Sequence, residues 1–218
     1  MDKMIGKSAS LKRDMDATNP FMYPFLQWII TSNRSHTVKL PQDKQLPFMN
    51  TPHQFLLISS PPAKEMVFQA AKQQYDSTFA FHGSAIENWH SIIRQWLINA
   101  SGTKFQVNGA AYGHGIYLSP NASTSMSYSR MMCTPKDKKS KTEGSRFLSG
   151  DNITCIAICE VVLGKNLKKN DSIWVMPNPD YVCTRFLCVY ENGTAPDSSV
   201  VTTDRKIFDQ LRQACVSI

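Results

Sequence analysis

The chain has 218 residues, 42% apolar and 19% charged, and its 24 Lys and Arg against 17 Asp and Glu give a net charge of +7. With 11 Phe, 7 Tyr and 4 Trp to bury, disorder throughout is excluded and one sizeable core or two small ones are affordable. The longest apolar clusters, such as Phe25 to Ile30, fall far short of the ~20 residues needed to span a bilayer.

Residues 1–20 carry scattered charges, no hydrophobic period and no apolar block of the secretory kind. They read as a flexible tail ended by Asn19-Pro20. Phe21 to Ile30 has the content of a short helix, and Pro41, Pro47 and Pro52 then punctuate an irregular stretch. Residues 21–50 are thus a helical and irregular lead-in to a domain over 51–218. Gln54 to Ser59 is an apolar run of strand length, and Ser60-Pro61-Pro62 opens a helix to Tyr75, because proline is tolerated in a first helical turn. Thr78 to His82 returns to strand and Gly83 breaks it. Ser84-Ala85-Ile86-Glu87 fits a capping box, opening a helix with Ile86, Trp89, Ile93 and Leu97 along one face.

Asn99 to Gly115, with Gly102, Gly109, Gly113 and Gly115, is a long loop ending in a tight turn; such loops are uncommon without a role. Ile116–Leu118 is a short strand, Ser123–Ser129 a helical turn or short helix, and Ser129–Asp151 a loop. Its basic cluster, Lys136-Asp137-Lys138-Lys139-Ser140-Lys141, has no interleaved aromatic. That is a solvated loop rather than a base-stacking platform, so nucleic acid is not an expected partner. Ile153 to Leu163 is apolar on both faces, hence a central strand, and Ile173–Val175 and Thr184–Tyr190 are further strands. Many short strands with few helices give an α+β domain built around a sheet.

Six cysteines are too few and too irregular for a disulfide scaffold, which points to a reducing, intracellular and specifically cytoplasmic setting. Cys155 and Cys159 are four apart, and Cys183 and Cys188 five apart, so neither pair has the close spacing of structural zinc; they are expected as buried free thiols, with no metal. Gly109-Ala-Ala-Tyr-Gly113-His-Gly115 lacks the G-x-G-x-x-G order, and no G-x-x-x-x-G-K-[ST] occurs, which removes kinase-type and Rossmann-type nucleotide binding.

Phe81-His82-Gly83-Ser84, then Tyr112-Gly-His-Gly-Ile-Tyr117-Leu-Ser and on to Tyr128, and Cys159-Glu160-Val-Val-Leu-Gly164 remain. Together they resemble the signature of the poly(ADP-ribose) polymerase family, the diphtheria-toxin-like ADP-ribosyltransferases. The stretches around SNRSHTVKLP, SSPPAKE and FHGSAIENWHSI resemble most the mono-ADP-ribosylating branch that holds the sixth and eighth numbered members. The resemblance implies an ADP-ribosyltransferase fold of two packed, mainly antiparallel sheets with a few flanking helices. It also implies NAD+ as substrate, protein side chains as acceptors and no metal.

On that resemblance, Gly83 binds the nicotinamide carboxamide through its backbone, Ser125 adds a hydrogen bond, and Tyr117 and Tyr128 sandwich the ring. His82 holds the adenosine ribose, with Ser84 in reach. Residues from about Asn99 to Ala111 form a loop over bound NAD+, and Tyr112 at its end is a further NAD+-binding residue. The family's catalytic glutamate falls at Phe186, and a one-residue slip brings Arg185 or Leu187 instead. None of these is a carboxylate, so polymer growth lacks its general base and a single transfer is expected. An NAD+ or ADP-ribose-binding module with little or no activity is the alternative. Glu160 is read as structural, His114 as without a catalytic task, and Thr124 as replacing a lysine of polymer-forming relatives. Trp96 stands in the helix where relatives of this branch tend to have glycine. His36, His53 and His90 are read as ordinary.

Overall fold

A computed structural model describes residues 8–32, 36–58, 62–106, 111–130 and 152–216. The cluster Lys136–Lys141, the loop expected up to Asp151, and Gly109 lie outside the described residues. The chain divides into two compact units, 1–34 and 35–218.

The first unit is helical, with α1 over Ser8–Thr18 and α2 over Met22–Ser32. The tail expected over 1–20 therefore contains a helix. Its residues are mostly good helix formers, Lys12 pairs with Asp16 one turn on, and the Lys12 ammonium lies 5.4 Å from the Tyr23 ring of α2. Pro24 is accommodated because it falls in the first turn of α2.

The second unit begins before residue 51. Strand β1 (Thr37–Lys39) pairs with β2 (His53–Leu57), and Leu40, Leu46 and Met49 are buried core residues. The lead-in expected to 50 is thus divided, and its second half is part of the domain. Next come α3 (Pro62–Tyr75), β3 (Ser77–Gly83), α4 (Trp89–Gln95), β4 (Ile116–Leu118), α5 (Ala122–Arg130), β5 (Ile153–Val162), β6 (Lys168–Asn170), β7 (Ile173–Met176), β8 (Val182–Glu191) and α6 (Arg205–Val216). They form a five-stranded sheet in the order β1-β2-β8-β5-β3 and a three-stranded sheet β4-β7-β6, with every pairing antiparallel.

Strand β5 shows why a centre forms there. Cys155, Ala157, Cys159 and Val161 point to one face, against Ile116, Leu118, Trp174 and Met176 of the smaller sheet. Ile156 and Ile158 point to the other, with Phe81, Phe186, Tyr190, Ala122, Met126 and Leu211. All four cysteines named from the sequence are buried free thiols.

Two local expectations fail. Ser84 makes no capping box: the turn at Ile86–Asn88 has Ala85 at its cap, and Ser84 Oγ instead accepts from Asn88 Nδ2 at 3.0 Å. The expected apolar face also breaks. Ile86 is exposed, whereas Trp89, Ile92, Trp96 and Leu97 are buried. Trp96 lies past the helix with φ 68° and ψ 179°, a region nearly reserved for glycine. Its indole is held edge-on to Phe68 at 6.2 Å.

Glu160 at the far end of β5 is structural. Its carboxylate takes Lys72 Nζ at 2.6 Å, Arg185 Nε at 2.8 Å and Ser77 Oγ at 2.7 Å, and Arg185 also reaches Glu65 at 3.1 Å. Burial alone raises its pKa, but Arg185, Lys72 and Ser77 more than offset that and hold it below the usual carboxylate range. Arg185→Ala removes the cation between two carboxylates and is expected to cost about 3–5 kcal/mol. Because the folded carboxyl titrates lower than the unfolded one, its contribution is complete above pH 4.5 and is lost as pH falls through the folded value. The melting temperature of the wild type should therefore drop more steeply below pH 4.5 than that of Glu160→Gln.

Candidate active site

The site forms at the edge of the larger sheet, where β3 has β5 on one side only. Along its outer side, Thr202 Oγ1 donates to Phe79 O at 2.7 Å. The Phe81 N–H donates to Ser119 O at 2.7 Å and Phe81 O accepts the Ser119 N–H at 2.9 Å. Backbone groups two residues apart on a strand face the same side, so the N–H and C=O of Gly83 also point outward. Among the described residues they have no partner. The next rung would pair Gly83 with Tyr117, but the bridge is confined to Phe81 and Ser119. Tyr117 O instead receives His82 Nδ1 at 2.9 Å. The strands part there, leaving one donor and one acceptor side by side, which is the complement of a primary carboxamide.

Gly83 is glycine for a packing reason as well. A Cβ there would stand 1.8 Å from Ser125 O and 2.9 Å from Ser129 Oγ, so α5 lies directly on it. Ser125 is buried. Tyr128, three residues on and so on the same helix face, is exposed.

Opposite, Tyr117 is held by its hydroxyl, which donates to Gly113 O at 2.9 Å and accepts the Tyr112 N–H at 3.0 Å. Gly113 has φ +102°, and a Cβ on Gly115 would meet Val175 Cγ1 at 2.7 Å and Met176 O at 2.8 Å, so this turn fits flat on β7 only with glycines. The Tyr112 ring itself is exposed; what the structure gives this residue is the backbone bond to Tyr117.

Since Tyr117 O can only accept, His82 Nδ1 carries the proton and Nε2 is left as an acceptor. Burial lowers the pKa of His82, and the bond to Tyr117 O opposes this only in part. Trp89 packs edge-on to His82 at 6.3 Å and donates Nε1–H to Ser84 O at 3.2 Å. This bracing role was not readable beforehand, because the residue appeared as one more apolar position on a helix. Ser119 was missed for a similar reason, since it acts through its backbone. Ser84 Oγ, already accepting from Asn88, keeps its own proton to donate.

Phe186 does not join this group. It is fully buried beside Leu56 and Ile158, in one row with Phe81. His82 belongs to the row His82–Ala157–Leu187 on the opposite face. The cause is a bulge: Cys159 pairs with Thr184 and Ile158 with Phe186, so Arg185 is an extra residue that reverses the alternation. The assignment of Phe186 to the catalytic set is corrected to a core residue. Leu187, which takes the row of His82, is no carboxylate either.

No group of three or more His, Cys, Asp and Glu among the described residues could hold a metal ion. Two surface depressions, of about 450 Å³ beside Arg205 and Arg212 and about 540 Å³ beside Gln42 and Gln45, contain none of the site residues.

The model of the poly(ADP-ribose) polymerase catalytic domain matches residues 58–212. "Protein mono-ADP-ribosyltransferase PARP8" of Homo sapiens is 50% identical over 218 aligned positions, covering 92% of this chain and 26% of the relative, and the Mus musculus protein gives the same figures. "Protein mono-ADP-ribosyltransferase PARP16" of Mus musculus is 32% identical over 110 positions, covering 48% of this chain and 30% of the relative. The chain thus spans about a quarter of the length of the PARP8 relatives.

Gly83→Ala is expected to push α5 away, to cost about 3 kcal/mol or more and to abolish nicotinamide binding in calorimetry. With the pKa of His82 below 6.5, its imidazole is neutral at pH 7. On the expectation that His82 holds the adenosine ribose, NAD+ affinity should fall with acid through a transition centred below pH 6.5; a transition centred above pH 6.5 contradicts that role.

Proposed function

The chain belongs to the poly(ADP-ribose) polymerase catalytic-domain family, and we propose that it cleaves NAD+ and attaches a single ADP-ribose to protein side chains. The observation that carries this reading is the unpaired Gly83 edge facing Tyr117. A nicotinamide carboxamide accepts from the Gly83 N–H and donates to its C=O, Ser125 adds a third bond, and the ring lies between Tyr117 and Tyr128. His82 Nε2 accepts a hydroxyl of the adenosine ribose, and Ser84 is in reach of the same sugar. Held at both ends, the ligand directs binding energy to the glycosidic bond, which breaks through an oxocarbenium-like state as neutral nicotinamide leaves.

Among the described residues the site offers no carboxylate for the next step. Phe186 lies in the core, Leu187 is apolar, and Arg185 is engaged with Glu160 and Glu65. Among the described residues no general base stands ready to activate an attached ADP-ribose as a nucleophile, so the product is one unit, and the acceptor's own carboxylate supports the developing cation. The same lack of a carboxylate favours the second reading, an NAD+-binding module of little activity. Buried cysteines outside any disulfide suit a reducing compartment, and no helix among the described residues is long and apolar enough to cross a membrane.

Intact-mass analysis with NAD+ and a cell extract should show single-unit additions and stoichiometric nicotinamide release, both lost in His82→Ala/Tyr117→Ala. Ladders of polymer would contradict single transfer. Binding without release would establish the module.

A further inference from the structure

The segment Asn99–Gln106, expected only to cover a ligand, is built and fastened. Within it, the Thr103 N–H and hydroxyl both bond Ala100 O, at 3.0 and 2.8 Å, and the Gly102 N–H bonds Gln106 Oε1 at 2.6 Å. Two side chains tie it down. Asn99 Nδ2 donates to Pro177 O at 3.3 Å, just past β7. Ser101 Oγ accepts the Gly115 N–H at 3.1 Å and donates toward Gly115 O at 3.5 Å. Asn99 Oδ1 in turn accepts the Ser101 N–H at 3.2 Å, which couples the two anchors. Gly115 is the residue where the turn enters β4, two positions before Tyr117, and Tyr117 Oη grips the other end of that turn at Gly113.

We propose that Ser101 is a positioning residue for substrate binding: its hydroxyl fastens the 99–106 loop to the turn that sets Tyr117, so that loop and ring platform meet NAD+ as one preformed unit. The inference rests on the reading of this cleft as an NAD+ site. A fastening of this kind raises the fraction of binding-competent sites and does not touch the bond-breaking step, so its loss appears in KM. No signal in the sequence marks it, since the partner of Ser101 is backbone.

The test is nicotinamide release as a function of NAD+ concentration, with NAD+ binding by calorimetry alongside. Ser101→Ala is expected to raise KM and Kd about tenfold with kcat within about twofold, while Ser101→Thr, which keeps the hydroxyl, stays within about threefold of wild type. Should the Ala variant fold poorly, Ser101→Cys is expected to raise KM about threefold, in line with a weaker hydrogen-bonding group. An unchanged KM in Ala or Cys, a loss confined to kcat, or a Thr variant as impaired as Ala overturns the inference alone. A wild type that neither binds nor cleaves NAD+ overturns the function reading and this inference with it.

Discussion

The parting of β3 from β4 after the Phe81–Ser119 bridge is the constraint on which the site depends. A sheet edge is a row of unpaired backbone groups, and here it is closed residue by residue: Phe79 O by the Thr202 hydroxyl, and both Phe81 groups by Ser119. The closure stops at Gly83, because the next carbonyl on β4, Tyr117 O, is taken by His82. One side-chain bond thus diverts a ladder rung and leaves the Gly83 pair for a ligand. The absent Cβ lets α5 close on the slot from one side with Ser125 and Ser129, and the Gly113–Gly115 turn sets Tyr117 on the other.

That geometry holds only if β3 keeps its register against β5, and two features fix it. Apolar residues on both faces of β5 make any slip of one residue exchange two sets of core side chains. At the end of the strands remote from the slot, Glu160 joins β5 to Ser77 of β3, Lys72 of α3 and Arg185 of β8. A buried cluster of this kind adds little net stability and penalises alternatives, because any other register strands a charge.

Legibility in the sequence followed side-chain chemistry. His82, Gly83, Tyr117, Ser125 and Tyr128 lie in two short strings whose residue types suit a carboxamide, a ring and a ribose. The central strand is plain from its unbroken apolar run. Contacts made through backbone were invisible: Ser119, Ser101 and Thr202 are ordinary hydroxyl residues until their main-chain partners are known. The capping box at Ser84 failed because Asn88 competes for the serine hydroxyl and Trp89 for its carbonyl. Phe186 failed for a reason of parity. One bulged residue, Arg185, turns it from the face of His82 to the opposite face, and nothing in the string Thr-Arg-Phe-Leu-Cys announces a bulge.

The central claim, that Gly83 keeps an unpaired backbone edge reserved for a carboxamide, is most directly tested by amide hydrogen exchange of Gly83 and Phe81 with and without saturating nicotinamide. The structure predicts a protected Phe81 N–H in both states, and a Gly83 N–H that exchanges freely in the unliganded protein and becomes protected when nicotinamide binds. A Gly83 amide already protected without ligand, or one unchanged at saturation, would contradict it.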